Sequence, residues 1–146
     1  MSVRDVFRSL VPIVILDWNR RRKKTQVRNA LAHKKNTGAV WTKERLVDSL
    51  RSAGVQYGVD LLVHSAMSRI GYVEGGPKTV VDALREVIGP EANLLMPTSP
   101  VTTLQAKHPQ EVFSVLETPS KMGAITEYFR SNIAIERSAH PLEPVA

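Results

Sequence analysis

Apolar residues recur at three- and four-residue steps from the start of the chain: Val3, Val6, Phe7, Leu10, Val11, Val14, Ile15 and Trp18. That period predicts a helix with one apolar stripe, kinked or divided at Pro12. A second helix is predicted from Thr42, which can cap it, with Leu46, Val47 and Leu50 on one face and Gly54 closing it. Over residues 60–64 the period is lost, and a continuous apolar run bounded by loop signals predicts a short buried strand. Residues 71–76 read as a loop. Pro77 then opens a third helix, since the N–H it lacks is unpaired at a first helical position anyway. Val80, Val81, Leu84, Val87 and Ile88 form the buried stripe of that helix, and Gly89-Pro90 stops it.

Residues 93–96 predict a second short strand, ended by Pro97. Residues 98–118 show little periodicity and predict a long surface loop that lines a site. Ser120 is placed to cap a further helix in which Ile125 and Phe129 share a face, and residues 133–135 suggest one more strand. Strand–helix–strand alternation of this kind predicts an α/β or α+β domain, a central sheet with helices packed on it.

Composition adds exclusions. A chain of 146 residues fits one modest domain. The absence of cysteine excludes disulfides, thiolate metal ligands and a cysteine nucleophile. The net charge of +6 is unevenly spread: residues 1–35 carry ten Lys/Arg against two Asp/Glu, and residues 36–146 carry ten against twelve. The basicity therefore belongs to an N-terminal extension, residues 1–41, and the domain at 42–146 is slightly acidic. A nucleic-acid-binding core is disfavoured by that split.

Residues 10–16 are apolar but interrupted by Pro12, far short of the ~20 residues a membrane span needs. Nor do they make a signal peptide, because the basic cluster Arg20–Lys24 follows the apolar stretch. Two readings of the extension stand. One is peripheral membrane contact through residues 1–35, apolar face in lipid and basic residues on anionic headgroups. The other is an amphipathic helix packed on the domain or on a second subunit, the commoner use of such a stripe. Either is compatible with a cytoplasmic protein.

The junction after Val63 is the first candidate for chemistry. A strand delivers His64 and Ser65 to its carboxyl end, where sheets of this type bind ligands. Gly71, Gly75 and Gly76 then lead into the helix at Pro77, whose free N–H groups and partial positive charge suit a phosphate, with Lys78 adding a point charge. The spacing is neither GxxxxGK[ST] nor GxGxxG. A plain turn between strand and helix explains the same residues equally well.

Several blocks, in order, carry a resemblance. Val63-His64-Ser65, Ile70-Gly71, Gly75-Gly76, Thr79-Val80 and Ala83-Leu84 are followed by Leu94-Leu95-Met96-Pro97-Thr98. Then come Thr118-Pro119-Ser120, Met122-Gly123, Glu127-Tyr128-Phe129-Arg130, Arg137-Ser138 and His140-Pro141. Together, over residues 42–142, they resemble the aminoglycoside 3-N-acetyltransferases, and the chain is similar to the N-terminal half of such a protein.

The resemblance implies metal-free transfer of an acetyl group from acetyl-CoA to an amino group of an aminoglycoside or amino sugar. It places His64, Ser65, Ala66, Met67, Ser68, Gly75, Gly76 and Ser120 along coenzyme A, and His140 near the acceptor as the candidate catalytic residue. A catalytic base near neutral pKa is wanted, and histidine, at ~6.5, is the natural candidate. His33 and His108 read as solvated.

The family normally continues for another hundred or so residues after the His140-Pro141 block. A truncated product is therefore expected, with the general base elsewhere; a catalytically inactive coenzyme A-binding or interaction module is the competing class. The chain departs from the family pattern at Ala66, where a second serine is common, at Ala92-Asn93, at Ser114 and at Leu142-Glu143-Pro144. Its basic extension resembles that of relatives associated with surface-polysaccharide synthesis.

Overall fold

A computed structural model of the chain describes residues 40–100 and 113–146, together with Trp18, Arg22, Thr25, Gln26 and Asn29. The chain divides into two units, Met1–Ala39 and Val40–Ala146. In the first, the described positions are helical, and the Arg22 guanidinium lies 4.6 Å from the Trp18 ring centroid. The apolar stripe from Val3 to Ile15, most of the basic run, His33 and His108 lie outside the described residues.

The second unit begins with helix α1, Lys43–Ser52. The Thr42 hydroxyl accepts from the Arg45 N–H at 3.4 Å, as expected of a cap. At the other end the Gly54 N–H donates to Arg51 O at 2.9 Å and the Val55 N–H to Leu50 O at 3.1 Å. This pair of bonds needs a left-handed residue at Gly54, whose φ is 90°.

Strands β1, Leu61–Leu62, and β2, Leu94–Leu95, pair in parallel with Leu61 opposite Leu94 and Leu62 opposite Leu95. Both are shorter than their sequence patterns suggest. Asp60 stands outside the ladder: its Oδ1 accepts from the backbone and side-chain N–H groups of Asn93 at 2.7 and 3.1 Å. Between strand β1 and the loop at 71–76 lies helix α2, Met67–Ile70, a single turn for which the sequence pattern predicts no element.

Helix α3, Pro77–Ile88, is the centre of the packing. Val80, Val81, Leu84, Val87 and Ile88 are all buried, as the period predicts, and Ala83 with them. It packs against α1 and against helix α4, Ala124–Asn132, which contributes Ile125 and Phe129. Gly89 ends α3 at φ 82°, and a Cβ there would lie 2.4 Å from the Tyr57 ring, so only glycine fits.

Three expectations fail. Residues 133–135 form no strand: the Ile133 and Ala134 N–H groups both donate to Phe129 O at 2.9 Å, winding the chain off α4, and Ile135 is 98% exposed. Residues 144–146 instead lie antiparallel to residues 96–98, with Met96 N–H to Ala146 O at 2.8 Å and Thr98 N–H to Pro144 O at 2.7 Å. Ser120 does not cap α4; Gly123 stands at that position. Thr98 and Ser99, expected on a surface loop, are buried, because the backbone of residues 142–146 covers them.

Candidate functional site

In a parallel pair both strands point their carboxyl ends the same way. Residues 63–66 leaving β1 and residues 96–99 leaving β2 therefore emerge side by side, and the Val63 N–H still donates to Leu95 O at 2.9 Å. His64 follows, exposed and without a hydrogen-bond partner among the described residues. The Ser65 hydroxyl is different: it is enclosed, yet no donor or acceptor among the described residues meets it. An enclosed hydroxyl left unpaired costs about 1–3 kcal/mol, so it calls for an explanation.

Ala66 is the N-cap of α2, extended at φ −142° and ψ 118°, and no side chain caps the helix. Met67 packs on the core and Ser68 is exposed. Gly75 and Gly76 make the turn into α3 with φ of 75° and 66°. A Cβ on Gly75 would lie 2.3 Å from the Thr79 hydroxyl. Gly76 leaves the first N–H groups of α3 without a side-chain cap. Lys78 is less available than its position suggests, since its ammonium pairs with Asp82 at 2.5 Å. No hydrogen bond among the described residues joins the Gly75–Gly76 turn to the β1 exit.

Around the β2 exit the structure gathers residues that the sequence separates widely. Ser99 O accepts from the Lys121 N–H at 2.8 Å, which holds the Ser120 segment, and Ser99 Oγ donates to Leu142 O at 2.5 Å, which holds the His140 turn. Ser120 is buried; its N–H donates to Glu127 Oε2 at 2.6 Å, and its hydroxyl accepts from the Met122 N–H at 3.2 Å. His140 is exposed. Its Nδ1 accepts from the Leu142 and Glu143 N–H groups at 3.3 and 2.9 Å. Nδ1 is thus engaged in the turn, leaving Nε2 as the ring nitrogen that the backbone does not hold.

Two arginines hold the segment 113–120 in place, and neither was assigned a role from sequence. Arg137 donates through Nε to Thr98 Oγ1 at 3.0 Å and through Nη2 to Thr98 O at 2.5 Å. Its Nη1 reaches Val115 O and Thr118 O at 3.1 and 2.7 Å, while the guanidinium stacks 4.8 Å from the Phe113 ring centroid. Burial, then the charge of Arg130, lowers its pKa, and it makes no ion pair among the described residues. Arg130 forks onto Glu127 at 2.9 and 2.7 Å and donates to Leu116 O at 2.7 Å. The Arg130 hydrogen bond, aided by the Ser120 N–H and opposed by burial, holds the Glu127 carboxyl below its usual range. Such a carboxylate is a structural anchor and a poor proton acceptor. The i,i+3 spacing of Glu127 and Arg130 was a visible signal for that pair; nothing in the sequence marked the Arg137–Thr98 contact.

Among the described residues, no group of three or more His, Asp and Glu residues is placed to hold a metal ion, and no helix is long and apolar enough to cross a membrane.

Comparison with known proteins identifies the family to which the fold belongs. Residues 62–146 match the profile of the aminoglycoside 3-N-acetyltransferase family. The chain is 33% identical over 118 residues to the SPbeta prophage-derived aminoglycoside N(3')-acetyltransferase-like protein YokD of Bacillus subtilis strain 168, covering 68% of this chain and 43% of that protein. It is 31% identical to aminoglycoside N(3)-acetyltransferase VII of Streptomyces paromomycinus, covering 74% of this chain and 42% of that one. Crystal structures of aminoglycoside acetyltransferase AAC(3)-IVa, as the apoenzyme and as a variant in complex with a gentamicin, superpose with a TM-score of 0.64 at 31% identity. Each superposition covers 74% of this chain, and 41% and 40% of the two structures. The chain spans less than half the length of each of these relatives. With the block order, the parallel strand pair and the profile match in accord over residues 62–146, the chain belongs to the aminoglycoside 3-N-acetyltransferase family.

Proposed function

We propose that the chain supplies the coenzyme A side of an N-acetyltransferase acting on an amino group of an aminoglycoside or a related amino sugar. The enclosed, unpaired Ser65 hydroxyl at the β1 exit carries this reading. A ligand polar group reaching it removes the cost of leaving it unpaired. His64, Ala66, Met67 and Ser68 flank it, and the uncapped start of α3 at Gly75–Gly76 offers free N–H groups that suit phosphate. Ser120 is fastened through Lys121 and Ser99 to the β2 exit, which emerges beside the β1 exit.

Acetyl-CoA contributes the activated acyl carbon: the amine nitrogen forms the new C–N bond, the C–S bond breaks, and the coenzyme A thiol leaves with a proton. The chain's own residues bind and orient, and positioning of this kind is worth ~7–11 kcal/mol. His140 enters on the acceptor side as a turn-former with a free donor at Nε2, because its Nδ1 is engaged by the backbone. The complex of the AAC(3)-IVa variant with a gentamicin supports an aminoglycoside as acceptor.

Calorimetry with acetyl-CoA tests the cofactor side, and thiol release over a panel of aminoglycosides and amino sugars tests turnover. Ser65→Ala should weaken binding about tenfold, the worth of one hydrogen bond. Absence of binding heat, or equal affinity in parent and variant, would sink the assignment of this cleft.

A further inference from the structure

Arg137 is partly buried, and all its hydrogen bonds end on neutral oxygens: the hydroxyl and carbonyl of Thr98 and the carbonyls of Val115 and Thr118. No carboxylate among the described residues pairs with it. Taking a charge out of water without a counter-charge costs free energy, and a plain structural tie needs no charge. Breaking a local rule in this way is characteristic of residues that serve a site.

The position of those oxygens supplies the reason. Ser65 and Thr98 each stand three residues beyond the paired Leu62 and Leu95, one on each of the two parallel strand exits. By taking both oxygens of Thr98, Arg137 fixes the β2 exit in place and in the direction of its peptide group. Through Nη1 it holds the Thr118 carbonyl at 2.7 Å, two residues before Ser120. On the other side of Ser120, the Lys121 N–H donates to Ser99 O at 2.8 Å. Ser120 is thus bracketed by two ties to the same exit, one direct and one made by the guanidinium. The Phe113 ring, 4.8 Å from the guanidinium, restricts the tilt of the fork. A lysine ammonium is a point charge and cannot span these acceptors at once.

We infer that Arg137 is a positioning residue for the cleft at the strand exits: its planar fork sets the Ser120 segment against the β2 exit, and acetyl-CoA affinity depends on that fork. The inference deepens the reading of this cleft as the coenzyme A side, and rests on it. Arg137 acts through Thr98 and the segment 113–120, not by contact with the ligand.

Calorimetry with acetyl-CoA on the 146-residue chain tests this, with Arg137→Lys and Arg137→Ala set beside Ile88→Val and Ile88→Ala. The Ile88 variants remove buried volume from the scaffold and leave the fork intact. Both Arg137 variants should bind about tenfold more weakly, the loss expected when a hydrogen-bonded support is removed. Methylguanidinium at a non-denaturing concentration should recover much of the affinity of Arg137→Ala; if that variant does not fold, Arg137→Lys decides alone. The Ile88 variants should lose thermal stability and keep the parent affinity. Equal affinity in the parent and Arg137→Lys overturns the inference and leaves the cleft assignment standing. So does an equal loss of affinity in an Ile88 variant of matched thermal midpoint, because affinity then follows overall stability. Absence of binding heat in the parent instead overturns the cleft assignment, and the inference with it.

Discussion

The α3 side of the molecule and the Arg137 side are held together by different physics. Around α3, buried Val80, Val81, Ala83, Leu84 and Val87 cluster with Leu46 and Val47 of α1 and Ile125 and Phe129 of α4, and Ile88 is buried at the end of the same helix. Apolar burial is non-directional, so the requirement on each residue is only to be apolar and of suitable size. Around Arg137, one guanidinium meets two atoms of Thr98 and two carbonyls of the segment 113–120 at set angles and distances. That side admits few substitutes, because a planar fork with five donors has no equivalent. The scaffold is therefore tolerant and the neighbourhood of the candidate site is not.

The contrast can be broken at both ends. Ile88→Ala, at a position 1% exposed, should cost about 4 kcal/mol in urea unfolding, and Ile88→Val about 1 kcal/mol, since lost volume sets the scale. If the two cost the same, size is not what α3 demands. Arg137→Lys, which keeps the charge and loses the fork, should cost about 2 kcal/mol by leaving buried Thr98 short of donors. A neutral result there would place the Arg137 side in the tolerant class too.

Backbone geometry gives the next pair. Gly75→Ala puts a methyl 2.3 Å from Thr79 Oγ1 at φ 75°, so a loss of about 1–2 kcal/mol is expected, with Thr79→Ser giving little relief because the hydroxyl remains. Ala66→Ser works in the opposite direction. A serine at the extended N-cap of α2 can accept from the helix N–H groups, and the expected gain is about 1 kcal/mol in the thermal midpoint analysis. A loss on that substitution would mean that α2 does not use a side-chain cap.

The smallest effect is acid sensitivity. The Arg130 guanidinium keeps the Glu127 carboxyl below the ordinary 4.5, so the folded pKa lies under the unfolded one. Stability from this pair is present above the unfolded value and is lost as pH falls through the folded one. Because Glu127 is partly solvated, the contribution should stay under about 1 kcal/mol, read as a shallower acid limb of unfolding in Glu127→Gln. An acid limb unchanged by that substitution would remove Glu127 from the anchoring of the segment 113–120.

What was legible in the sequence follows the same division. The bounds of α1 and α3 and their buried faces were readable because capping and helical period are local, as Thr42, Gly54, Pro77 and Gly89 show. The strands were placed but drawn too long, since Asp60 and Asn93 bind each other across a gap that no local pattern encodes. The short apolar triplet at 133–135 carried a strand signal without a partner, and a strand exists only by pairing. His140 drew attention by residue type; the two backbone N–H groups on its Nδ1 come from a turn whose shape the sequence does not spell out.

The chain's period and punctuation were enough to place helices α1, α3 and α4 and the β1–loop–α3 order with Ser65 inside it, because caps, glycines and apolar stripes act over a few residues. Folding in three dimensions settled the rest. It brought residues 142–146 onto Thr98 and Ser99, laid Arg137 across to Val115 and Thr118, enclosed the Ser65 hydroxyl without a partner, and left Leu62 and Leu95 bare on the far face of the sheet. Those outcomes depend on contacts between residues tens of positions apart, and on hydrogen bonds whose direction and distance exist only once both partners have been put in place.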